Sequence, residues 1–395
     1  MLEKKGRIFY LDQKLICALM FFAGMNIFAK HVYCIFFAFA ILILSQKEIK
    51  FDKSCAVLFL FSFFYGLFYD LQSLDVMGAV RRFAFPMCYV IGYNFILRDD
   101  ETLRNSKKIE YNIILPIIMF ALGAFTYYFI NFILNFGNTN RNGIDVWSGE
   151  IMSATGQAML ASLGVAIFIA LLFSDYKLRI KLLSMMGLVI VFLYNLILAG
   201  RTLLFLALIL TVVCFLYKMK HSDSEHKVSI FFVVLFVVLI LYLAYMENWF
   251  GIQDMVHNSN LWNRFDELEL TEDSRNERKQ LYLKNLFSFP WGGNGLRDLV
   301  GGYAHDIFLD CYSDAGIITV FLLLAFIVVS ISKTLEFVLT TQINYSVKLI
   351  VLSVNIATII CFFVEPIFQG MPWLFSAYCF TQGIIMKSLN FVKKV

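Results

Sequence analysis

Residues 271–316 read TEDSRNERKQLYLKNLFSFPWGGNGLRDLVGGYAHDIFLDCYSDAG, in the longest polar interval of an otherwise apolar chain. Ser274-Arg275-Asn276-Glu277 has the form of a capping box, in which a hydroxyl and a carboxylate three residues apart satisfy the free N–H groups of a helix start. The helix it opens carries Arg275, Arg278 and Tyr282 on one face by the three- and four-residue rule. Pro290 ends it. Gly292, Gly293 and Gly295 read as a tight turn, and no Lys-Ser or Lys-Thr follows to make a phosphate loop. Gly301 and Gly302 come next, and His305-Asp306 stands at the mouth of another apolar helix.

The flanks of this interval fix the fold class. The chain has 395 residues, of which 60% are hydrophobic, 43 are Phe and only 16% are charged. Its mean hydropathy is +0.73. A water-soluble fold cannot hide that much apolar surface, so the sequence predicts an all-α, polytopic membrane bundle. Seven of the eight cysteines (17, 34, 55, 88, 214, 361 and 379) fall inside apolar runs, Cys311 lies at the edge of one, and there is no CxxC. They read as small buried hydrophobes, neither a disulfide frame nor a metal site. No basic, aromatic-interleaved patch points to nucleic acid. The basic N-terminal stretch leads straight into an apolar run without a small-residue cleavage site and reads as an uncleaved first span.

About twelve candidate spans are legible, near 12–29, 31–46, 55–70, 82–97, 111–134, 151–173, 181–198, 202–217, 228–246, 312–331, 347–364 and 373–391. The second, third and fourth are short for a full crossing. With the N-terminus in the cytoplasm, 22 Lys and Arg fall in cytoplasmic segments, against five in the short external loops (Lys30, Arg81, Arg82, Arg141 and Arg201). The positive-inside rule therefore puts both termini in the cytoplasm and a long loop, about 247–311, outside. The expected division is a transmembrane bundle over residues 1–246, the external loop 247–311 and C-terminal spans 312–395. No internal repeat is apparent.

Each external arginine is an exception to the positive-inside trend. Arg201 sits in Leu198-Ala199-Gly200-Arg201-Thr202, a turn of almost no length between two spans, and Arg81 and Arg82 open the fourth span at the same face. As lipid-headgroup snorkelers Arg201, Arg275 and Arg278 need no further role. As guanidinium groups they suit bidentate phosphate binding. His305 reads either as a cap on the helix starting at Asp306 or as a general base, since imidazole titrates near neutrality. Asp306, Asp310 and Asp314 share one helical stripe, and for Asp310 the preferred reading is a wet helix end outside the bilayer. Glu365, beside Pro366, is placed to pair with an arginine or line a pathway. His221 and His226, in a polar connector, make a poor metal site. The external acids Asp266, Glu267 and Glu269 lack metal-ligand spacing, so neither metal nor cofactor is expected and the arginines are left to neutralise phosphate.

Several of these residues carry a resemblance. An arginine followed four residues later by an aromatic (Arg278, Tyr282), then Pro290 and Gly293-Asn294-Gly295, then Ala304-His305-Asp306 with Leu309, Asp314 and Gly316 downstream, resembles the O-antigen polymerase and O-antigen ligase group of bacterial envelope glycosyltransferases. Arg201, at the outer end of a span among small neighbours, matches that group's membrane-edge arginine. The motifs cover about 200–202 and 274–316; Asp306 stands where many members have Asn. The resemblance implies a fold like the C-type glycosyltransferases, in the bacterial inner membrane, with a periplasmic active face. It implies an undecaprenyl-pyrophosphate-linked oligosaccharide as substrate. His305, Arg278 and Arg201 become the catalytic candidates, with Arg275, Tyr282, Asp306, Arg81 and Arg82 binding substrate. Membrane lipid, a chain-length regulator and a flippase are the implied partners. A polymerase leads, a ligase to lipid A core is the nearest alternative, and a lipid-linked oligosaccharide transporter is the alternative from another class. A transporter would be expected to put ionisable residues at mid-membrane and to repeat its halves.

Overall fold

The computed structural model describes residues 11–46, 48–95, 106–138, 140–222, 242–266, 274–293, 295–340 and 342–392, with Val228, Phe236, Leu239 and Ile240 between. In chain order its helices are α1 (Leu11–Gly24), α2 (His31–Ser45), α3 (Lys53–Tyr65), α4 (Val76–Arg82), α5 (Ala84–Phe95), α6 (Ser106–Leu134), α7 (Ala154–Leu160), α8 (Ser162–Phe173), α9 (Leu178–Leu198), α10 (Arg201–His221), α11 (Ile252–His257), α12 (Asn260–Asp266), α13 (Ser274–Asn285), α14 (Gly295–Val300), α15 (Ile307–Thr340), α16 (Tyr345–Phe362), α17 (Ile367–Gly370) and α18 (Pro372–Val392). Among the described residues the only sheet is an antiparallel pair, β1 (Gly143–Ile144) and β2 (Ile151–Met152).

The helical, multi-pass character is as composition predicts. Among the described residues seven helices are long and apolar enough to cross a membrane: Lys53–Asp70, Glu110–Leu134, Ala154–Phe173, Leu178–Leu198, Arg201–His221, Ile307–Leu339 and Tyr345–Phe362. Other candidate spans are shorter as helices. Among the described residues α1, α2 and α5 have 14, 15 and 12 residues, against the roughly 20 a crossing takes. α18 is long enough at 21 residues, but Gln382 and Lys387 make it more polar than the seven. The candidate at 228–246 lies largely outside the described residues.

The chain forms two compact units, one of Met1–Tyr127 with Asp273–Val395, the other of Tyr128–Glu272. In the first unit, α3, α5, α15, α16 and α18 bury an aromatic core. Phe85 meets Phe375 edge-on at 4.9 Å between ring centroids, Phe61 meets Phe368 at 5.4 Å, and Phe362 meets Tyr378 at 5.2 Å. Such pairs add about 0.5–1.5 kcal/mol each beyond burial. Glycines let backbones touch: a Cβ on Gly92 of α5 would sit 2.1 Å from Phe380 O of α18, and one on Gly383 would sit 2.1 Å from Tyr89 O. This reciprocal small-residue contact suits helices whose association lacks a hydrophobic drive in lipid. Gln382 of α18 also hydrogen-bonds Asn355 of α16 and Thr334 of α15 in the buried interior.

One helix of this unit is broken, and the break organises the polar interval. Within α15, Gly316 has φ 75° and ψ −175°. The Ile317 N–H donates to Pro290 O at 3.0 Å, and Gly293 N–H donates to Asp314 O at 2.8 Å. The Pro290–Gly293 turn thus supplies backbone partners at the kink. Only glycine fits here, because a Cβ on Gly316 would lie 2.6 Å from Pro290 O and the φ is left-handed.

In the second unit, α8 packs on α9 and α10. The loop after α6 is held by two buried amides: Asn135 exchanges hydrogen bonds with Ile144 N (2.7 Å) and O (2.9 Å), and Asn131 Oδ1 accepts from Val146 N at 3.0 Å.

Candidate functional site

The polar interval carries α13 over Ser274–Asn285; the residues before it and the side chains of Ser274, Arg275 and Asn276, on which the capping box rests, lie outside the described residues. Tyr282 turns fully inward, packs with Leu296, Ala304 and Tyr312, and donates its hydroxyl to Gly302 O at 2.8 Å. Burial pushes its phenol pKa up, so it stays a donor. One turn earlier, half-buried Arg278 lies against the same glycine: a Cβ on Gly302 would meet its Nη1 at 3.3 Å. Lys279, which the sequence did not single out, donates to Phe363 O at 3.0 Å and reaches Asp306 Oδ2 at 3.8 Å.

His305 follows Gly302 by three residues, half-buried, with φ +56°. A non-glycine residue in the left-handed region costs about 1–3 kcal/mol and persists only where its surroundings impose it. Asp310 imposes it. Its carboxylate accepts from Ala304 N at 2.7 Å and from Asp306 N at 3.2 Å, gripping the backbone on both sides of the histidine. The helix cap is Asp306, whose Oδ1 accepts from Phe308 N (3.0 Å) and Leu309 N (3.3 Å). His305 is therefore not the cap. Asp310 is not a wet helix end either: it is 1% exposed, because its acceptors are spent on the loop that folds over it. Arg278, Tyr282, His305 and Asp306 are thus gathered in one corner of the first unit.

A second constellation in the same unit was largely invisible in sequence. Arg82 pairs in bidentate fashion with Asp70, Nε to Oδ2 at 2.9 Å and Nη2 to Oδ1 at 3.0 Å, and donates to Phe368 O at 3.1 Å. Its guanidinium lies 4.3 Å from the Tyr65 ring centroid. Tyr65 donates to Asp314 Oδ2 at 2.5 Å and accepts from Gln369 at 3.1 Å. Arg297 completes the chain, meeting Asp314 Oδ1 at 3.3 Å, Tyr303 Oη at 3.1 Å and Tyr69 Oη at 3.4 Å. Burial alone would loosen the Arg297 proton, but Tyr69 and the Asp314 carboxylate more than offset it and raise the pKa. Asp70 is 3% exposed and Asp314 not at all, so these are buried charges held by partners on other elements. The signal available in sequence was slight: Arg297 and Asp314 both lie in the quoted interval, but nothing local points them at each other.

Beside Arg82 opens a cavity of about 440 Å³. Arg81 and Arg82 both line it, together with Lys30 and His31 at the start of α2 and the aromatic rings of Phe85 and Phe368. Arg81 and Lys30 are exposed and make no ion pair among the described residues.

Arg201 belongs to the second unit. It is the first residue of α10, half-buried, after a turn in which Ala199 takes φ +55°. Asn195 clamps that turn, donating to Gly200 O and accepting from Gly200 N, both at 3.2 Å. Arg264 Nη1 donates to Ala199 O at 2.8 Å and Arg141 Nε to Leu198 O at 3.4 Å. Arginine on the last carbonyls of α9 also suits the negative end of that helix.

Among the described residues no three His, Cys, Asp or Glu are grouped to hold a metal ion. Glu267, Glu269 and the side chain of Asp266 lie outside the described residues. The eight cysteines are free, and all but the half-buried Cys34 are buried. No family model matches this chain, and no curated protein matches it.

Proposed function

We propose that this chain is a membrane glycosyltransferase of the polysaccharide-polymerase type. It joins undecaprenyl-pyrophosphate-linked repeat units at the periplasmic face of a bacterial inner membrane. The observation that carries the reading is His305, held in a left-handed conformation by a buried carboxylate that grips both neighbouring amides. Strain maintained at such cost is characteristic of working sites. In this reading about twelve segments enter the membrane, both termini are cytoplasmic, and the polar interval faces outward.

His305 accepts the proton of an acceptor sugar hydroxyl as that oxygen attacks the anomeric carbon of the donor. The anomeric carbon–oxygen bond to pyrophosphate breaks, and the lipid pyrophosphate leaves with the bonding electrons. Arg278, in the same unit as His305, neutralises the charge that develops on it, and Arg201 of the second unit is a separate phosphate-binding candidate. Guanidinium suits this task because its planar fork grips two phosphate oxygens at once. Asp310 serves as a positioning residue, since it touches the loop and not the substrate.

The test is His305→Ala in a strain that depends on the chain for surface polysaccharide. We expect loss of polymer with normal membrane insertion, leaving core that carries a single repeat unit. Bare core with accumulated lipid-linked polymer would assign the ligase reaction to the same site. An unchanged ladder of chain lengths would remove His305 from the chemistry.

A further inference from the structure

The cavity beside Arg81 is given no role by the transfer step above, although the resemblance counts Arg81 and Arg82 among the substrate-binding candidates. We propose that it is a binding site for an amphiphile whose phosphate ester carries a hydroxyl-bearing group, with His31 Nε2 accepting a hydrogen bond from that hydroxyl.

The imidazole orientation is set by its partner. Asn26 Oδ1 accepts from the His31 backbone N–H at 3.2 Å, and a backbone N–H can only donate. That fixes the amide oxygen at this position. The same oxygen lies 3.2 Å from His31 Nδ1, so Nδ1 carries the hydrogen. In the neutral ring, Nε2 is then a lone-pair acceptor. Among the described residues it has no hydrogen-bond partner, and His31 is 5% exposed. A buried acceptor left unmet is costly, which makes a donor on a ligand a favourable partner.

The charges around it select the rest of the ligand. Arg82 is matched by Asp70, and Asp75 is turned to its own helix start, accepting from Gly78 N at 2.7 Å. Lys30 and Arg81 remain as the exposed cations lining the cavity. The first turn of α2 adds its positive dipole end. Phe85 and Phe368 wall the cavity with apolar surface suited to a lipid chain. A phosphate at Arg81, a hydroxyl at His31 and a chain along the rings describe two sources equally: a phosphoglycerol membrane lipid, or a prenyl phosphate bearing a sugar.

The test is binding to purified full-length chain in detergent, read by native mass spectrometry. The probes are phosphatidylglycerol, farnesyl-phosphoryl glucose, and phosphatidic acid, whose phosphate carries no hydroxyl-bearing group. Arg81→Gln is expected to weaken all three by about tenfold, the loss of one charge-assisted contact. His31→Phe keeps the ring's volume and is expected to weaken phosphatidylglycerol and the prenyl-phosphoryl sugar by several fold while sparing phosphatidic acid. His31→Gln, which keeps an acceptor, should recover some of the loss and guards against a folding artefact. Tighter binding of one hydroxylated probe identifies the source. Equal loss for all three probes in His31→Phe, or no loss in Arg81→Gln, overturns the proposal. Binding is read without turnover, so His305→Ala should bind as wild type whether or not the glycosyl transfer reading survives.

Discussion

Arg82 in the first unit and Arg201 in the second are both arginines at a helix end, and their surroundings differ in kind. Arg82 is met by the Asp70 carboxylate through two hydrogen bonds, and its neighbours continue an alternation of charge through Tyr65 and Asp314 to Arg297. Around Arg201, the turn is held by the Asn195 amide and by two further arginines, Arg141 and Arg264, which donate to its carbonyls. Arg201 itself makes no ion pair among the described residues. An arginine held by a carboxylate contributes little net field and acts as a strut. One beside an amide and two further arginines, with no carboxylate paired to it among the described residues, keeps its full charge. Under the proposed function, the comparison sets Arg82 as a structural arginine and Arg201 as a phosphate-binding one.

The sharpest way to break this comparison is to remove the strut. Arg82→Leu leaves Asp70 buried without its counter-charge, and we expect about 3–5 kcal/mol of lost stability. It is measured as a fall in thermal midpoint of the detergent-purified protein. Adding Asp70→Leu should restore most of the loss, because an apolar pair can replace a buried ion pair at little cost. A neutral single variant would mean the pair is not a strut.

Arg201→Lys should show the reverse profile. Polymer formation is expected to drop about ten- to a hundredfold, since lysine cannot reproduce the planar fork, while the thermal midpoint stays within about a degree of wild type. A fall in stability without a fall in turnover would return Arg201 to the structural class.

The smallest effect belongs to the clamp. Asn195→Ala removes both hydrogen bonds to Gly200, with an expected cost of about 1–2 kcal/mol. If the turn exists to aim Arg201, turnover should fall further than that stability loss explains, and Asn195→Asp, which keeps only the acceptor, should fall between. Full activity in Asn195→Ala would detach the clamp from Arg201's task.

The same contrast shows what the sequence could and could not reveal. Local chemistry was legible: a helix in the polar interval, the glycine turn after Pro290, and Arg278 and Tyr282 on neighbouring helical turns. These depend on residues a few positions apart, so spacing encodes them. The pairs Tyr65–Asp314 and Arg297–Tyr69 join residues 249 and 228 positions apart, and nothing in either neighbourhood announces the other. Asp310 was misread for a related reason. Helical periodicity put it on a polar stripe near a helix end, but whether such a stripe is wet depends on the loop folded against it, here Ala304–Asp306. Backbone detail at span ends was likewise illegible: an apolar run does not reveal that Asn26, Phe28 and Ala29 take left-handed backbone conformations between α1 and α2.

The kink at Gly316 bears on how the protein is made. The Ile317 N–H finds its acceptor on Pro290, synthesised 27 residues earlier, and not on its own helix. During synthesis the Pro290–Gly293 turn has already left the ribosome when Gly316 emerges, so the acceptor is waiting before the donor exists. Until the two meet, the α15 segment carries an open rung in its hydrogen-bond ladder, which hydrocarbon penalises by several kcal/mol. Docking of the polar loop is thus a step in completing a transmembrane helix, and a loop grafted here from another protein must bring its own rung or leave the helix unfinished.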